Sequence, residues 1–210
     1  MMIVNKFAGV NPMFKYISYL LVVVGAAFLV YGGYNLLQSH LDEGKRLDEA
    51  KAITSTKESE NVVKEVEEPE EMSVNYEDFE TGDTVGILYI PRLDREIPIV
   101  EGTDEDELAQ GVGHYKDTGY PGENRQILLS GHRDTVFREF GDLEDGDEFH
   151  VIMPNGTFVY EMQDHKIVDA DDRTVIDPNR EEEFLTLSTC YPFSYVGSAP
   201  DRYVVYAYPK

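Results

Sequence analysis

The single cysteine of this chain is the residue whose type and position most suggest chemistry. Cys190 ends the stretch FLTLSTC, and the alternation of side chains along a strand places it on the face opposite Leu185 and Leu187. A thiolate is a strong nucleophile and forms acyl intermediates readily. The residues alone leave two interpretations open, a catalytic nucleophile or a small core or incidental thiol.

A nucleophilic cysteine needs a partner that stabilises its thiolate or accepts its proton. The chain has five histidines. His40 falls in a polar acidic segment, and His150 and His165 lie in or beside predicted strands. His132, in SGHRD, follows an apolar strand and a glycine, which is typical of a strand end at the rim of a cleft. We therefore prefer His132 to His114, which lies in GVGHY.

A third group would stabilise charge on a carbonyl oxygen, and arginine does this because it is always protonated and donates several hydrogen bonds. Arg202 begins the predicted strand that follows Cys190. An antiparallel return of that strand would bring Arg202 and Cys190 together at one rim. The alternative is that Arg202 forms a surface ion pair with Asp201 or Glu181.

The composition excludes several classes of protein. The 210 residues include 18 Lys+Arg and 41 Asp+Glu, which gives a net charge of −23. Such an acidic chain is unsuited to nucleic acid, whose phosphates are bound by clustered cations. One cysteine cannot form an intramolecular disulfide, a multi-cysteine zinc site or an iron–sulfur cluster. A hydrophobic content of 41% excludes a wholly disordered chain.

The N-terminal segment predicts a membrane anchor that would hold these residues outside the cytoplasm. Residues 16–37 form a 22-residue run without charge, long enough as a helix to span about 33 Å. Lys6 and Lys15 precede the run and acidic residues follow it, so residues 1–15 are expected in the cytoplasm and the rest outside. A cleaved signal peptide and a buried core helix are the alternatives.

The remaining chain divides into a tether and one domain. Residues 38–82 are rich in Asp and Glu and predict an extracytoplasmic linker with a short helix near the membrane. Residues 83–210 carry repeated short strands and one or two brief helices, including DEDELAQGV. Asn155-Gly156 between two strands indicates a type I′ hairpin. This pattern predicts an all-β fold, a closed β-barrel.

TLSTC, with Arg202 twelve residues later and SGHRDT upstream, resembles the signature of the sortases. The segments GHYKDT, SGHRDTVF, DADDRTVI and TLSTCYPF are most similar to class D sortases of Gram-positive bacteria. The last strand is followed directly by Lys210. We therefore expect less likeness to pilin-polymerising sortases, which usually carry a second membrane helix.

This resemblance implies an eight-stranded sortase barrel and a cysteine transpeptidase. Cys190 would attack the threonine carbonyl of an LPxTG- or LPxTA-like C-terminal sorting signal on a secreted protein and form a thioester. His132 would protonate the leaving amine, and Arg202 would hold the substrate backbone or the oxyanion. An amine of the peptidoglycan precursor would then resolve the thioester and anchor the protein to the wall.

The resemblance also implies a loop that helps to choose the signal. It would be formed by residues 170–183, and we expect Val175 and Ile176 to contact substrate, with turn packing as the alternative. Thr189 of TLSTC is a further expected substrate-binding residue.

No metal site or other cofactor is expected, although some sortases use an acidic calcium site near this loop. Asp171 and Asp172, and the run Asp104, Glu105, Asp106 and Glu107, supply acids. An acidic chain holds many such clusters by chance, so calcium stays open.

Two other functions compete with a sortase. A non-enzymatic, membrane-tethered β-domain could bind wall polymer or a partner protein with the same anchor, linker and barrel. Another wall-active cysteine enzyme, such as a peptidoglycan hydrolase or an L,D-transpeptidase, is the third hypothesis. The cysteine of L,D-transpeptidases normally lies in a signature that contains histidine and glycine, and TLSTC contains neither.

Overall fold

The computed structural model describes residues 12–55, 75–177, 179–195 and 197–210, and within these ranges not the side chains of 12–15, 35–40, 42 and 77. Most of the expected cytoplasmic tail, the middle of the expected linker and the side chain of His40 lie outside the described residues. The chain forms two compact units, Met1–Leu41 and Asp42–Lys210.

The first unit consists of the N-terminal part of helix α1 (Pro12–Ser55). Its segment Tyr16–Tyr34 is long and apolar enough to cross a membrane, and it is the one helix in the described part of the chain that meets this test. All of its side chains are exposed. A membrane-crossing helix has this character because its apolar surface faces lipid.

In the second unit, the last turns of α1 pack against the barrel. Ala50 is fully buried, and Lys51 forms a 2.5 Å ion pair with Glu96. Arg46 Nε donates a 2.6 Å hydrogen bond to Gln110 Oε1. Part of the segment expected to be a linker therefore lies as a helix against the barrel.

Eight strands and one further short helix make up the rest. The strands are β1 (Thr84–Ile90), β2 (Arg95–Glu101), β3 (Val112–His114), β4 (Gln126–Ser130), β5 (Glu148–Met153), β6 (Gly156–Asp169), β7 (Phe184–Tyr191) and β8 (Asp201–Pro209), and helix α2 is Glu105–Leu108. They form a closed barrel in the order β1-β2-β3-β4-β7-β8-β6-β5. The pairs β2–β3 and β4–β7 are parallel and the others antiparallel. The predicted eight-stranded all-β barrel is confirmed.

The barrel interior is filled by aliphatic and aromatic side chains from all eight strands. Leu185 and Leu187 are fully buried in this core, as the strand alternation predicts. The opposite face of β7 is not open to solvent throughout, because Thr186 is also fully buried. Residues 170–177, in the connection from β6 to β7, lie over this face, where one Gln126 amide bonds to both Val175 and Thr186.

The β5–β6 hairpin is present, but its turn differs from the predicted type I′ turn. Met153 pairs with Gly156, so Pro154 and Asn155 are the two turn residues. A type I′ turn needs positive φ at both positions. Proline fixes φ near −65°, and Asn155 is not among the residues with positive φ.

Candidate active site

A cavity of about 300 Å³ opens at the end of β4 and β7 on the outer face of the barrel. Its lining includes all six of the site residues that the sequence suggested, namely His132, Val175, Ile176, Thr189, Cys190 and Arg202. The cavity therefore brings together residues that lie up to 70 positions apart in the chain.

Cys190 and Arg202 are direct cross-strand partners. The antiparallel register of β7 and β8 places the two residues opposite each other, and side chains so placed have Cβ atoms about 5 Å apart. Arg202 Nη1 donates to the backbone oxygens of Asp201 (3.0 Å) and Ala199 (3.4 Å). These bonds are to carbonyls, so the alternative of an ion pair with Asp201 or Glu181 is not what the structure shows.

His132 reaches the cavity because the residue before it is tied to β7. Gly131 N donates to Ser188 O at 3.0 Å, and Thr189 Oγ1 donates to Gly131 O at 2.7 Å. A Cβ at Gly131 would lie 2.7 Å from the ring of Phe137, so this close approach requires glycine. Thr189 thus uses its hydroxyl to position the segment that carries His132.

The reactive atoms have no hydrogen-bond partner among the described residues. Within the described ranges, neither the Cys190 thiol nor the His132 imidazole makes a hydrogen bond, and both residues are half-buried. Arg202 uses one nitrogen of its guanidinium on the backbone and keeps further N–H groups available. The site can supply a nucleophile, a proton carrier and a fixed positive charge to a group that enters it.

His114, the other histidine candidate, lies in a different place. It is 1% exposed, and its Nδ1 lies 2.7 Å from Glu101 Oε2 while its Nε2 lies 3.0 Å from Gly119 O. Because a carbonyl only accepts, the proton on Nε2 is committed to Gly119. The Tyr120 ring stacks on the imidazole at 4.2 Å, and its hydroxyl donates to Glu101. The structure places His114 in a buried polar cluster and His132 in the cavity.

Part of the loop between β6 and β7, within residues 170–176, forms one wall of the cavity. Val175 and Ile176 are half-buried and line the cavity. Their contact with substrate stays a prediction. Gln126, at the start of β4, holds this loop through its side-chain amide, with Nε2 donating to Val175 O at 2.8 Å and Oε1 accepting from Asp177 N at 2.6 Å. Sequence reasoning missed Gln126.

Further lining residues were also missed, among them Thr103, Leu108, Tyr115, Leu128, Ser130 and Ser188. Ser188 shares a strand face with Cys190, so the alternation of β7 could have revealed it. Ser130 pairs with Ser188 across the parallel β4–β7 contact. The approach of Thr103 and Leu108 depends on tertiary packing and left no signal.

The acidic clusters considered for calcium serve local backbone structure. Asp172 Oδ1 accepts from the Thr174 hydroxyl and backbone N–H, and these bonds lower the pKa of the Asp172 carboxyl. Asp104 and Glu107 cap α2 reciprocally. Within the described residues, no group of three or more His, Cys, Asp or Glu is placed to hold a metal ion. The expectation that the protein needs no metal or other cofactor stays a prediction.

Comparison with protein families matches residues 88–210 to the Sortase domain. The chain belongs to the sortase family. It is 45% identical over 192 residues to Sortase D of Bacillus subtilis (strain 168), covering 91% of this chain and 96% of that relative. The sequence resemblance to sortases, and to class D in particular, is confirmed.

Solved sortase structures share the fold. The Sortase D5 transpeptidase of Clostridium perfringens aligns with a TM-score of 0.63 at 26% identity, covering 80% of this chain and 98% of that one. Sortase C of Clostridium perfringens, solved with the C-terminal cell wall sorting motif, aligns with a TM-score of 0.58 at 25% identity, covering 80% and 88%. This sortase is therefore an enzyme of the cysteine transpeptidase type.

Proposed function

We propose that this sortase cleaves an LPxTG- or LPxTA-like C-terminal sorting signal after its threonine and transfers the protein to an amine of the peptidoglycan precursor. The observation that carries the proposal is the convergence of Cys190, Arg202 and His132 on one cavity. The same arrangement favours an enzyme over a non-enzymatic β-domain, since a binding module needs no unpartnered thiol and imidazole together.

In the first half-reaction, the Cys190 thiolate attacks the threonine carbonyl carbon. The carbonyl oxygen becomes an oxyanion, which the Arg202 guanidinium stabilises. The C–N bond then breaks, His132 gives its proton to the leaving amine, and a thioester remains on Cys190. A thiolate and imidazolium are therefore the starting protonation states.

In the second half-reaction, an acceptor amine attacks the thioester carbonyl. His132 takes a proton from the amine, the C–S bond breaks, and the thiolate of Cys190 is restored. The thioester keeps the energy of the cleaved peptide bond, so the transfer needs no nucleotide. The chain itself supplies nucleophile, proton and positive charge, and the proposed steps require no cofactor.

The proposed location is the cell membrane, with the catalytic unit outside the cytoplasm. The exposed apolar segment Tyr16–Tyr34 supports a membrane anchor. Lys6 and Lys15 on one side, and the acidic chain on the other, support a cytoplasmic N-terminus. The proposed partners are secreted proteins with sorting signals and the peptidoglycan precursor.

The test uses the full chain in detergent micelles with LPxTG- and LPxTA-type peptides and hydroxylamine as the amine. We expect a peptide hydroxamate that ends at threonine, and a mass shift on Cys190 when hydroxylamine is left out. A folded enzyme that forms no hydroxamate from either peptide would contradict the proposed substrate class.

Cys190→Ala is the control for mechanism. The variant should bind peptide and keep its circular dichroism spectrum, yet form neither thioester nor hydroxamate, because no other cysteine can replace it. Turnover by this variant would remove the thioester mechanism. Replacing hydroxylamine with stem-peptide amines then tests the acceptor.

A further inference from the structure

Gln126 is a wholly buried polar residue that lies outside the cavity lining. Its side-chain amide makes three hydrogen bonds. Oε1 accepts from Asp177 N at 2.6 Å, and Nε2 donates to Val175 O at 2.8 Å and to Thr186 Oγ1 at 2.9 Å. Both donors and the carbonyl are thus satisfied, and two of the three partners are backbone groups of one loop.

The two backbone partners lie on either side of Ile176. The Gln126 amide therefore pairs with the loop as a neighbouring strand would, through one accepted and one donated bond. Ala170 N also donates to Pro200 O at 2.9 Å. The bonds of residues 171–174 are local, to Asp169 or within the loop, and Asp171, Arg173 and Thr174 are exposed. The bonds to Gln126 fix the part of the loop that carries Val175 and Ile176 over the outer face of the barrel.

The loop has one favoured position for a physical reason. If it moved away, the Gln126 amide would lose its hydrogen bonds to Val175 O and Asp177 N, which is unfavourable. Gln126 itself is distant from the chemistry. It pairs with Phe184 at the start of β7, whereas Cys190 lies six residues further along that strand, a distance of about 20 Å.

We propose that Gln126 is a specificity-determining positioning residue of the sortase reaction. It holds residues 175–177 so that Val175 and Ile176 form a fixed apolar wall against the acyl-donor peptide. This inference rests on the proposed function, because it concerns how the same cavity selects its peptide. It predicts that loosening the amide changes peptide selection and leaves the reactivity of Cys190 unchanged.

The test compares Gln126→Met with Gln163→Met in the full chain in detergent micelles. Methionine has a similar length and removes all three hydrogen bonds. Gln163 is exposed on β6, which makes its substitution the matched control. Three quantities are measured: kcat/KM for LPxTG- and LPxTA-type peptides, the alkylation rate of Cys190 by iodoacetamide, and hydrogen exchange of residues 170–177.

We expect Gln126→Met to lower kcat/KM about tenfold, mainly through KM, and to change the preference between the two peptides about threefold or more. Hydrogen exchange of residues 170–177 should accelerate, and Cys190 alkylation should stay within about twofold of wild type. Gln163→Met should match wild type in all three measurements.

Wild-type selectivity and KM in Gln126→Met would overturn the inference, and so would an equal loss of Cys190 alkylation. If Gln126→Met does not fold, Gln126→Glu takes its place, since it keeps an acceptor for Asp177 and removes the donor to Val175. An inactive wild-type chain would contradict the proposed function, whereas unchanged exchange of residues 170–177 in the variant would contradict the role of Gln126 alone.

Discussion

Two histidines at the ends of neighbouring strands have opposite surroundings. His114 ends β3, has both ring nitrogens within hydrogen-bond distance of Glu101 and Gly119, and is buried. The imidazole of His132, which follows β4, makes no hydrogen bond to a described residue and lines the cavity with Cys190. A histidine whose ring has no hydrogen-bond partner in the protein is available to react with a substrate. A histidine whose ring nitrogens are both paired within the protein stabilises the fold instead.

The contrast extends to the residues around each imidazole. The cluster of Glu101, His114 and Tyr120 is closed over by Tyr76, whose ring stacks on Tyr120 at 4.5 Å. A buried polar cluster of this kind is favourable only while every member is satisfied. The cavity around His132 differs, because the Cys190 thiol and the His132 imidazole have no described hydrogen-bond partner and are available to a substrate.

The largest effect is expected from substituting His132, the histidine that lines the cavity. His132→Ala should lower kcat/KM by about a hundredfold to ten-thousandfold, because general acid–base catalysis is lost. Its free energy of unfolding should stay within about 0.5 kcal/mol of wild type, since no hydrogen bond of the fold is removed. Peptide turnover and urea unfolding of the same preparation test this. A variant that is destabilised but active would show that His132 supports the fold and not the reaction.

Substituting the buried His114 should have the opposite result, a loss of stability with the chemistry retained. His114→Ala removes the imidazole partner of the buried Glu101 carboxyl, which then has only the Tyr120 hydroxyl among its described side-chain partners. The substitution should cost about 3–5 kcal/mol of stability. Cys190 should still be acylated at temperatures where the variant is folded, because the cavity is untouched. Thermal unfolding followed by circular dichroism measures the loss. Wild-type stability together with lost turnover would show that His114 belongs to the reaction.

Arg133 extends the comparison, because its guanidinium is hydrogen-bonded within the protein although it lies next to His132 in the chain. Its guanidinium donates to the backbone oxygens of Pro192, Tyr195 and Gly197 in the β7–β8 connection. Arg133→Ala should lower kcat/KM about tenfold by loosening this connection between Cys190 and Arg202. Lysine lacks the planar fork, so Arg133→Lys should rescue little of the loss.

The matched control for this prediction is Arg138→Ala. Arg138 is exposed, and the one described group to which its guanidinium bonds is the backbone oxygen of Asp134. Its substitution should leave steady-state kinetics within about twofold of wild type. Equal effects of the two substitutions would show that the carbonyl contacts of Arg133 do not matter.

The smallest effect is expected from alkaline titration of the buried cluster. Burial, and next the hydrogen bond to Glu101, raise the pKa of Tyr120 well above its usual range. The folded state therefore holds this proton more tightly than the unfolded chain, whose tyrosines titrate near about 10. The resulting stability is complete below that pH and falls as pH rises above it.

The measurement is urea unfolding between about pH 8 and pH 11, with Tyr120→Phe as the control. The stability of the wild-type protein should fall more steeply above the tyrosine pKa than that of the variant, because phenylalanine has no proton to lose. Identical slopes would contradict the role assigned to Tyr120.

Much of the site was predictable because it depends on strand geometry. The two-residue alternation of LTLSTC assigned Leu185 and Leu187 to the core and Cys190 to the outer face. The return of β8 after a short connection placed Arg202 beside Cys190. Both inferences require only local periodicity and one antiparallel pairing.

Other features were beyond the reach of sequence. The type I′ prediction at the β5–β6 turn was wrong, because the ladder register makes Pro154 and Asn155 the turn residues. Register depends on packing along the whole strand. Gln126 was missed, because a glutamine at the start of an apolar strand gives no sign of the loop it will hold 50 residues later.

The sequence by itself determined the chemical groups, the apolar N-terminal segment, the strand periodicity and the family signature. These follow from residue types and short-range spacing, which the chain carries in any conformation. The sequence already favoured His132 over His114, but only the tertiary structure decided which groups enclose His114, namely Glu101, Gly119 and Tyr120. It also decided that Gln126 bonds to the loop beside the cavity. Both outcomes depend on which hydrogen-bond partners closure of the barrel brings together, and such contacts join residues far apart in the chain.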